Sequence, residues 1–588
     1  MAAWEPIMNA IINVSEVTPM LQGIAVSQGI GLGQVMLLQE QSLYFDPSRP
    51  IDPNTELERL KQAVGTFCRN TARQAEQLHR SAGCEGAHIL ESHIEMISDP
   101  GLQEELAGMI GNGICAETAL QTTCDRYIET FSESHDELTR LRAADIRDMC
   151  HALLCVLLGV EDTDLCGIPK DTILVTKELS PSVMAGIDRE HIVGIVTERG
   201  GQTSHAAILA RALGVPAVCG VAGAMQALAG GGLVIVDGSL GEVICSPAAG
   251  VIADYSRRRD AFLARRQQME HFRDRKTQAA SGETYSLYAN ITMPCGAARA
   301  VEAGAEGIGL FRTEYLFMNR EVPPDEQEQY TAYAQAVQGA GGRPVVVRIL
   351  DIGGDKQVPC LEQYEEDNPF LGTRGIRWCL GHREVFLTQL RALLRAGEGQ
   401  DLRILLPMVT TVEEVLASRS LLAEAAAQLE AQGVPHAESL PLGVMIETPA
   451  AAVMAAHLAA VADFFSIGTN DLTGYLMACD RGNPRVAGLH SALQPAVLWC
   501  LRHIIRCGAG AGIPVSICGE AAADPRLIPL LMAFGVSSFS VSAAMVVQVR
   551  GAISRWSRAE TKQLAVQALG LATEGEVARL MAKAVGEE

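Results

Sequence analysis

The chain has 588 residues, which at roughly 150 residues per domain suggests about four domains and excludes one small module. Its 69 acidic residues outnumber 47 basic ones and leave a net charge of −22, which argues against a nucleic-acid polyanion as the main partner. With 5% aromatics and 56 glycines, an α/β enzyme class is favoured over an all-β sandwich.

The sixteen cysteines are scattered, with no C-x-x-C pair, and read as reduced cytosolic thiols, not as a disulfide framework. Met1 to Met20 contains no Lys or Arg and lacks a signal-peptide core. No run approaches the roughly 20 apolar residues of a membrane span, so a cytoplasmic protein without membrane insertion is expected.

In chain order, Gly23 to Leu38 reads as short strands broken by glycines. From about Asp52 to Leu158, Glu, Gln, Arg and Leu recur at helical spacing, with helix starts at Asp52-Pro53 and Ser98-Asp99-Pro100. Thr172 to Cys245 again alternates apolar runs with glycine turns. Two strand-like flanks around a helical stretch suggest one α/β domain carrying a helical insertion. Tyr255 to Gln278 reads as a charged connecting helix with a narrow stripe of Phe262, Leu263, Met269 and Phe272; its basic run could bind an anion, but a solvated face is favoured.

Strand-like runs follow at Ser286–Asn290, Ile308–Arg312, Val345–Leu350, Arg403–Met408, Gly443–Glu447, Phe464–Gly468, Val515–Cys518 and Phe539–Ser542, with helical sequence between them. Eight strands alternating with helices is the count of a (β/α)8 barrel, whose site lies at the C-terminal strand ends. Arg312, Arg348, Glu447, Asn470, Asp471 and Cys518 fall at or near those ends. The other fold with this alternation is a doubly wound open sheet.

The stretch TERGGQTSHAAILARALGVPAVCG, Thr197 to Gly220, follows the apolar strand His191–Val196. Gly200 and Gly201 permit a tight turn, Thr203 or Ser204 can cap a helix, and Ile208, Leu209, Ala212 and Leu213 form its buried stripe up to Gly214 and Pro216. His205 then sits in a first helical turn, where free N–H groups and the helix dipole stabilise an anion attached to the imidazole. G-G-x-T-S-H-A-A followed by I-L-A-R closely resembles the phosphohistidine segment of the phosphoenolpyruvate-utilising enzymes. That family includes enzyme I of the bacterial sugar phosphotransferase system, pyruvate phosphate dikinase and phosphoenolpyruvate synthase. Gln202 stands where enzyme I usually has Arg.

GLFRTEYLFM, VRILDIGGDK, NPFLGTRGIR, GVMIETPAA, DFFSIGTNDLTGYLMACDRGN and SICGE resemble, in order and spacing, the phosphoenolpyruvate-binding barrel of enzyme I. The resemblance covers nearly the whole chain from Gly23. It implies a swivelling phosphohistidine α/β domain (1–45 and 165–250), an inserted all-α domain (46–164) that binds the carrier protein HPr, a linker helix (251–280) and a C-terminal TIM barrel (281–588) for phosphoenolpyruvate. Linkers near Glu161 to Lys170 and Val251 to Thr277 would carry the swivel.

Phosphoenolpyruvate carries a phosphate and a carboxylate, anions that guanidinium forks hold bidentately. Arg312 and Arg348 on adjacent strands and Arg481 after the sixth can converge on it, with Arg374 and Lys356 assisting at the phosphate. By resemblance, Glu447 and Asp471 are ligands of Mg²⁺, a cation that takes oxygen donors, and Asn470 and Asp471 contact the substrate. Cys518 corresponds to the general acid that protonates the enolate, and His205 to the nucleophile. The implied activity is transfer of the phosphoryl group from phosphoenolpyruvate to His205 and on to HPr, releasing pyruvate, in a homodimer joined through the barrel. Two alternatives are an ATP-dependent dikinase or synthase, disfavoured because only about 165 residues precede Thr172 and no glycine-rich phosphate loop occurs there, and a non-catalytic phosphoenolpyruvate-binding paralogue.

Overall fold

The computed structural model describes residues 20–588 apart from 40–42, 82–83, 133–136, 161–166, 188–189, 202–203, 319, 321, 354–357, 359, 362–365, 482, 484 and 587–588, with the side chains of 80–81, 84–85, 137–141, 185, 205 and 212 also outside the description. Gln202, Lys356 and most of the first linker therefore lie outside the described residues. The chain forms two compact units, 1–265 and 266–588.

The first unit is built on strands β1 (Met20–Gln22), β2 (Ile24–Ser27), β3 (Ile30–Leu38), β4 (Thr172–Thr176), β5 (Ile192–Thr197), β6 (Ala217–Cys219), β7 (Leu233–Asp237) and β8 (Glu242–Cys245). They form one sheet in the order β1-β8-β7-β3-β4-β5-β6-β2. β3 to β6 pair in parallel, and antiparallel strands complete both sides. The glycine spacing of β3 has a steric cause: a side chain on Gly31 or Gly33 would come within 2.1 Å of the Val193 or Asp171 carbonyl oxygen.

Between the adjacent strands β3 and β4 the chain makes five helices, α1 (Pro53–Ser81), α2 (Cys84–Ser98), α3 (Pro100–Gly111), α4 (Ala116–Ser132) and α5 (Glu137–Leu158). The helical sequence is thus an insertion into the sheet's connectivity. Asp52 caps α1 by accepting the Thr55 N–H (3.0 Å), and Asp99 caps α3 by accepting from Leu102 (2.9 Å) ahead of Pro100. Leu60, Phe67, Ile97, Leu106, Leu120 and Leu153 fill the bundle core. Beside it Glu56 and Glu117 are buried and shared by two arginines: Arg59 reaches both at 2.7 Å, and Arg49 reaches Glu117 at 3.2 Å.

The helix following β8 runs Ala249–Glu270, earlier at both ends than the sequence pattern suggests. It cannot continue to Gln278, because Arg550 holds the carbonyls of Phe272 and Arg273 and Gln278 bridges to Thr284.

The second unit is a closed barrel of β9 (Ser286–Ile291), β10 (Ile308–Arg312), β11 (Val345–Arg348), β12 (Leu402–Leu406), β13 (Leu442–Ile446), β14 (Phe465–Gly468), β15 (Val515–Cys518) and β16 (Ser538–Ser542). Every neighbouring pair is parallel, and β16 closes onto β9. Closure rules out the open sheet. Capping boxes at Asp325/Glu328, Thr411/Glu414, Ser557/Glu560 and Thr573/Glu576 start four of the surrounding helices. Among the described residues thirteen cysteines are free thiols, whereas Cys295 is disulfide-bonded, so the all-reduced reading fails at that position. No described helix is long and apolar enough to cross a membrane.

Burial pushes Glu56 and Glu117 up, but the Arg59 contacts and backbone N–H bonds outweigh it and leave both below the usual carboxylate range. Their contribution to stability is therefore complete above the unfolded-chain value and is lost as pH falls through the folded value. Arg59→Met strands two buried carboxylates. With Arg59 itself about one-third exposed, the cost should be about 2 kcal/mol, read as a lowered urea midpoint for the helical circular dichroism signal that shrinks as pH drops from 7 toward 4.

Candidate active site

The C-terminal ends of the barrel strands gather the charged residues. Arg312 ends β10 and pairs in register with Arg348, which ends β11. Glu447 directly follows β13, Asp471 lies in the first turn of the helix Thr469–Met477 after β14, and Cys518 ends β15 beside Gly468. Parallel strands closed into a barrel put side chains far apart in sequence at one mouth.

Asp351, fully buried just past β11, organises the group. Arg348 reaches it at 3.1 Å, and Arg374 grips it with Nε and an Nη at 3.1 and 3.2 Å. The far side of the same Arg374 fork holds both oxygens of Asp471 at 3.2 and 3.3 Å. Arg348 also contacts the buried Glu314. These carboxylates hold both guanidiniums well above their ordinary range against the opposing effect of burial. The buried Nε–H of Arg348 has no protein partner, so one charge-assisted donor is left for an anion.

Glu447 is 1% exposed and accepts the Met408 N–H at 2.7 Å. Met408 adopts φ +57 to deliver that bond, a left-handed conformation costly for a side-chain-bearing residue. Burial, then Asp471 and Asp351, pushes Glu447 up to about 8 against the pull of Arg348 and Arg374.

Cys518 is buried, donating to the Ile467 carbonyl (3.3 Å) and accepting from Ser466 Oγ (3.5 Å). Burial pushes its thiol up to about 11, only partly offset by Ser466. It is therefore protonated at neutral pH, the form a proton donor needs. Asn470 is linked to Glu520: its Oδ1 accepts the Glu520 N–H at 3.3 Å and its Nδ2 donates to Oε1 at 3.5 Å.

Arg312 is exposed and forms no ion pair among the described residues, which leaves its guanidinium available at the mouth. Arg481 is also exposed, and the structure does not join it to the Asp351 cluster. Lys356 lies outside the described residues. Asp351, Glu314 and Met408 were not singled out from sequence; the signal for Asp351 was its place three residues after Arg348, following a strand end.

In the first unit the helix His205–Leu213 begins where the motif predicts. Ser204 is its cap, accepting the Ala207 N–H at 3.3 Å, and Gly214 closes it in the left-handed conformation. The buried face is Ala206, Ala207, Leu209, Ala210 and Leu213, while Ile208 is only half-buried. Of the expected stripe, Leu209 and Leu213 are buried and the Ala212 side chain lies outside the described residues, while Ala206, Ala207 and Ala210 join the buried face. His205 occupies the first turn, with its side chain outside the description.

Three family models match: PEP-utilising enzyme, N-terminal, over 22–142; mobile domain, over 168–241; and PEP-binding domain, over 266–558. Full-length relatives agree. The chain is 40% identical to the phosphoenolpyruvate-protein phosphotransferase of Listeria innocua over 96% of its own length and 99% of the relative's. It is 38% identical to the proteins of the same name from Staphylococcus carnosus and Bacillus subtilis, over 95% of its length and 98% of theirs. The chain belongs to the phosphoenolpyruvate-utilising enzyme family.

For a phosphoenolpyruvate-utilising enzyme a divalent metal is implied, and the donor set at the mouth fits one. Glu447 and Asp471 are hard oxygen donors near adjacent strand ends. A cation would relieve the carboxylate crowding that, with burial, raises Glu447. No group of three or more His, Cys, Asp or Glu suited to a metal occurs among the described residues, so substrate and water oxygens have to complete the shell. A side chain on Gly468 would meet Glu447 Oε2 at 2.5 Å. Gly468→Ala should therefore displace that carboxylate and weaken Mn²⁺ binding by about 10-fold or more, measured by calorimetric titration, with the far-ultraviolet circular dichroism unchanged.

Proposed function

We propose that the chain is a phosphoenolpyruvate-protein phosphotransferase that transfers a phosphoryl group from phosphoenolpyruvate to its own His205 and then to a histidine of the carrier protein HPr, releasing pyruvate. The observation that carries this reading is that one chain holds both a capped helix starting at His205 and an arginine-rich barrel mouth with a protonated, buried thiol, and matches a phosphotransferase over 96% of its length.

Arg312, without an ion pair among the described residues, and Arg348, with its spare Nε–H, bind the substrate's anionic groups. Arg374 is held by Asp351 and Asp471, so it adds positive potential without freedom to move. Asn470 contacts the substrate, with Arg481 as a third cation at its anionic groups and Lys356 assisting at the phosphate. A Mg²⁺ ion bound by Glu447 and Asp471 would supply charge neutralisation at the transferring oxygens. The His205 imidazole attacks phosphorus in line while the bond to the enolate oxygen breaks, and the arginines stabilise the spreading charge. The enolate collapses to a ketone as its methylene carbon takes the proton from Cys518 Sγ, giving pyruvate and a thiolate that solvent reprotonates.

His205 must serve two partners, so the domain formed by 1–45 and 165–250 swivels on the linkers around 161–170 and 251–277. The inserted helices (46–164) dock HPr, and the barrel (281–588) binds phosphoenolpyruvate and joins a homodimer in the cytoplasm.

Incubation with ³²P-labelled phosphoenolpyruvate and Mg²⁺ should give acid-labile, base-stable label on the wild type and none on His205→Ala, with the label chased onto added HPr. Absence of label on the wild type would sink the reading. Cys518→Ala should retain phosphoenolpyruvate binding while pyruvate release falls by about 100-fold; unchanged release removes Cys518 from the mechanism.

A further inference from the structure

At the opposite end of the barrel, where the strands begin, lies a cavity of about 680 Å³. Its walls include Ser286 at the start of β9, Glu306 just before β10, Arg343 before β11 and Ser537 before β16. Volume in this range suits a small metabolite.

In a chain of net charge −22, this cavity is basic. Arg273, Arg275, Lys276, Arg343 and Arg550 line it, against Asp274 and Glu306. Neither carboxylate is spare. Glu306 accepts from Thr277 Oγ1 (2.7 Å), the Thr277 and Leu287 N–H groups (3.3 and 3.2 Å) and Arg550 (3.4 Å), and Asp274 faces Arg273 at 3.6 Å. Arg275, Lys276 and Arg343 have no carboxylate partner among the described residues; Arg275 only lies over the Phe272 ring and Arg343 only donates to the Ala340 carbonyl (3.3 Å).

The floor is Arg550, 1% exposed. Four of its contacts go to neutral oxygens, Thr277 Oγ1 and the Phe272 carbonyl at 2.9 Å, the Gly304 carbonyl at 2.5 Å and that of Arg273, and among the described residues its one ion pair is with Glu306 at 3.4 Å, a carboxylate already shared with Thr277 and Leu287. Burial pushes this guanidinium below its ordinary range. A buried cation left short of counter-charge is costly, and an anion in the cavity would offset that cost.

We propose that this cavity at the base of the barrel binds a small phosphorylated metabolite carrying at least two negative charges, held by Arg275, Lys276 and Arg343 above the buried Arg550. Hydroxyls of Ser286, Thr284 and Tyr285 on the same wall offer further donors. The site is separate from the catalytic mouth, because its residues precede the strands whose far ends carry Arg312, Arg348 and Cys518.

The test uses inorganic pyrophosphate as probe and the full chain. Arg312→Ala serves as the background that weakens capture at the mouth. Calorimetric titration of this variant should still show binding that Arg275→Glu with Arg343→Glu weakens by about tenfold or more per reversed charge. Both are exposed side chains, and an unchanged melting temperature verifies the fold. Acetylation of Lys276, followed by mass spectrometry, should slow at least threefold with pyrophosphate present. Binding absent in the Arg312→Ala background, or indifferent to the charge reversals, or Lys276 acetylation unaffected by the probe, overturns the proposal.

Discussion

The barrel mouth depends on a buried charge balance centred on Asp351. This carboxylate, excluded from water, binds two guanidiniums at once, and one of these, Arg374, spends its second edge on Asp471. Charges buried without such pairing would cost several kcal/mol each. Because the Arg374 fork is planar and engaged on both edges, the arrangement fixes direction as well as charge. Glu447 completes the set at a cost visible in its raised protonation equilibrium and in the left-handed Met408 that supports it. The mouth is thus balanced for its own residues, yet retains an exposed Arg312 and an unspent Arg348 donor for an anion.

Support for the mouth comes from behind. Gln389, buried on the helix Arg383–Ala396, donates to Thr313 Oγ1 (3.2 Å) and Tyr333 Oη (3.0 Å) and accepts from the Leu350 N–H (3.1 Å), while Thr313 donates to the Arg348 carbonyl (2.9 Å). Fully satisfied buried networks of this kind restrict the backbone to one geometry. The other end of the barrel shows the contrary electrostatics, cations in excess over a buried arginine that neutral carbonyls hold in place. One fold thereby presents a compensated cluster at one end and an uncompensated one at the other.

Much of this was legible beforehand. Buried parallel strands are continuous apolar runs, and the eight runs read from the pattern lie within two residues of β9 to β16 at every end. The helix starting at His205 was readable from its glycine turn and serine cap, because capping is local chemistry. Ile208 was misjudged because the side of a helix that is buried depends on what lies against it. The connecting helix was placed too late because Arg550, about 280 residues away, takes the carbonyls that would have continued it. Arg312 and Arg348 are held in register at adjacent strand ends, whereas Arg481 lies on a loop, where position along the chain does not fix the direction of a side chain.

By itself the amino-acid sequence determined the barrel, the helical insertion and the capped helix that starts at His205, since these follow from periodicity, capping and residue chemistry acting over short stretches. Only the tertiary structure decided which carboxylate answers which arginine: Arg374 meets Asp471 across 97 residues, and Arg550 meets Gly304 across 246. Such pairings are set when the barrel closes and brings strand ends together, and no local pattern encodes them. The same closure decided that the basic Arg273, Arg275 and Lys276, read from sequence as part of a solvated helix face, line a cavity beside Arg550.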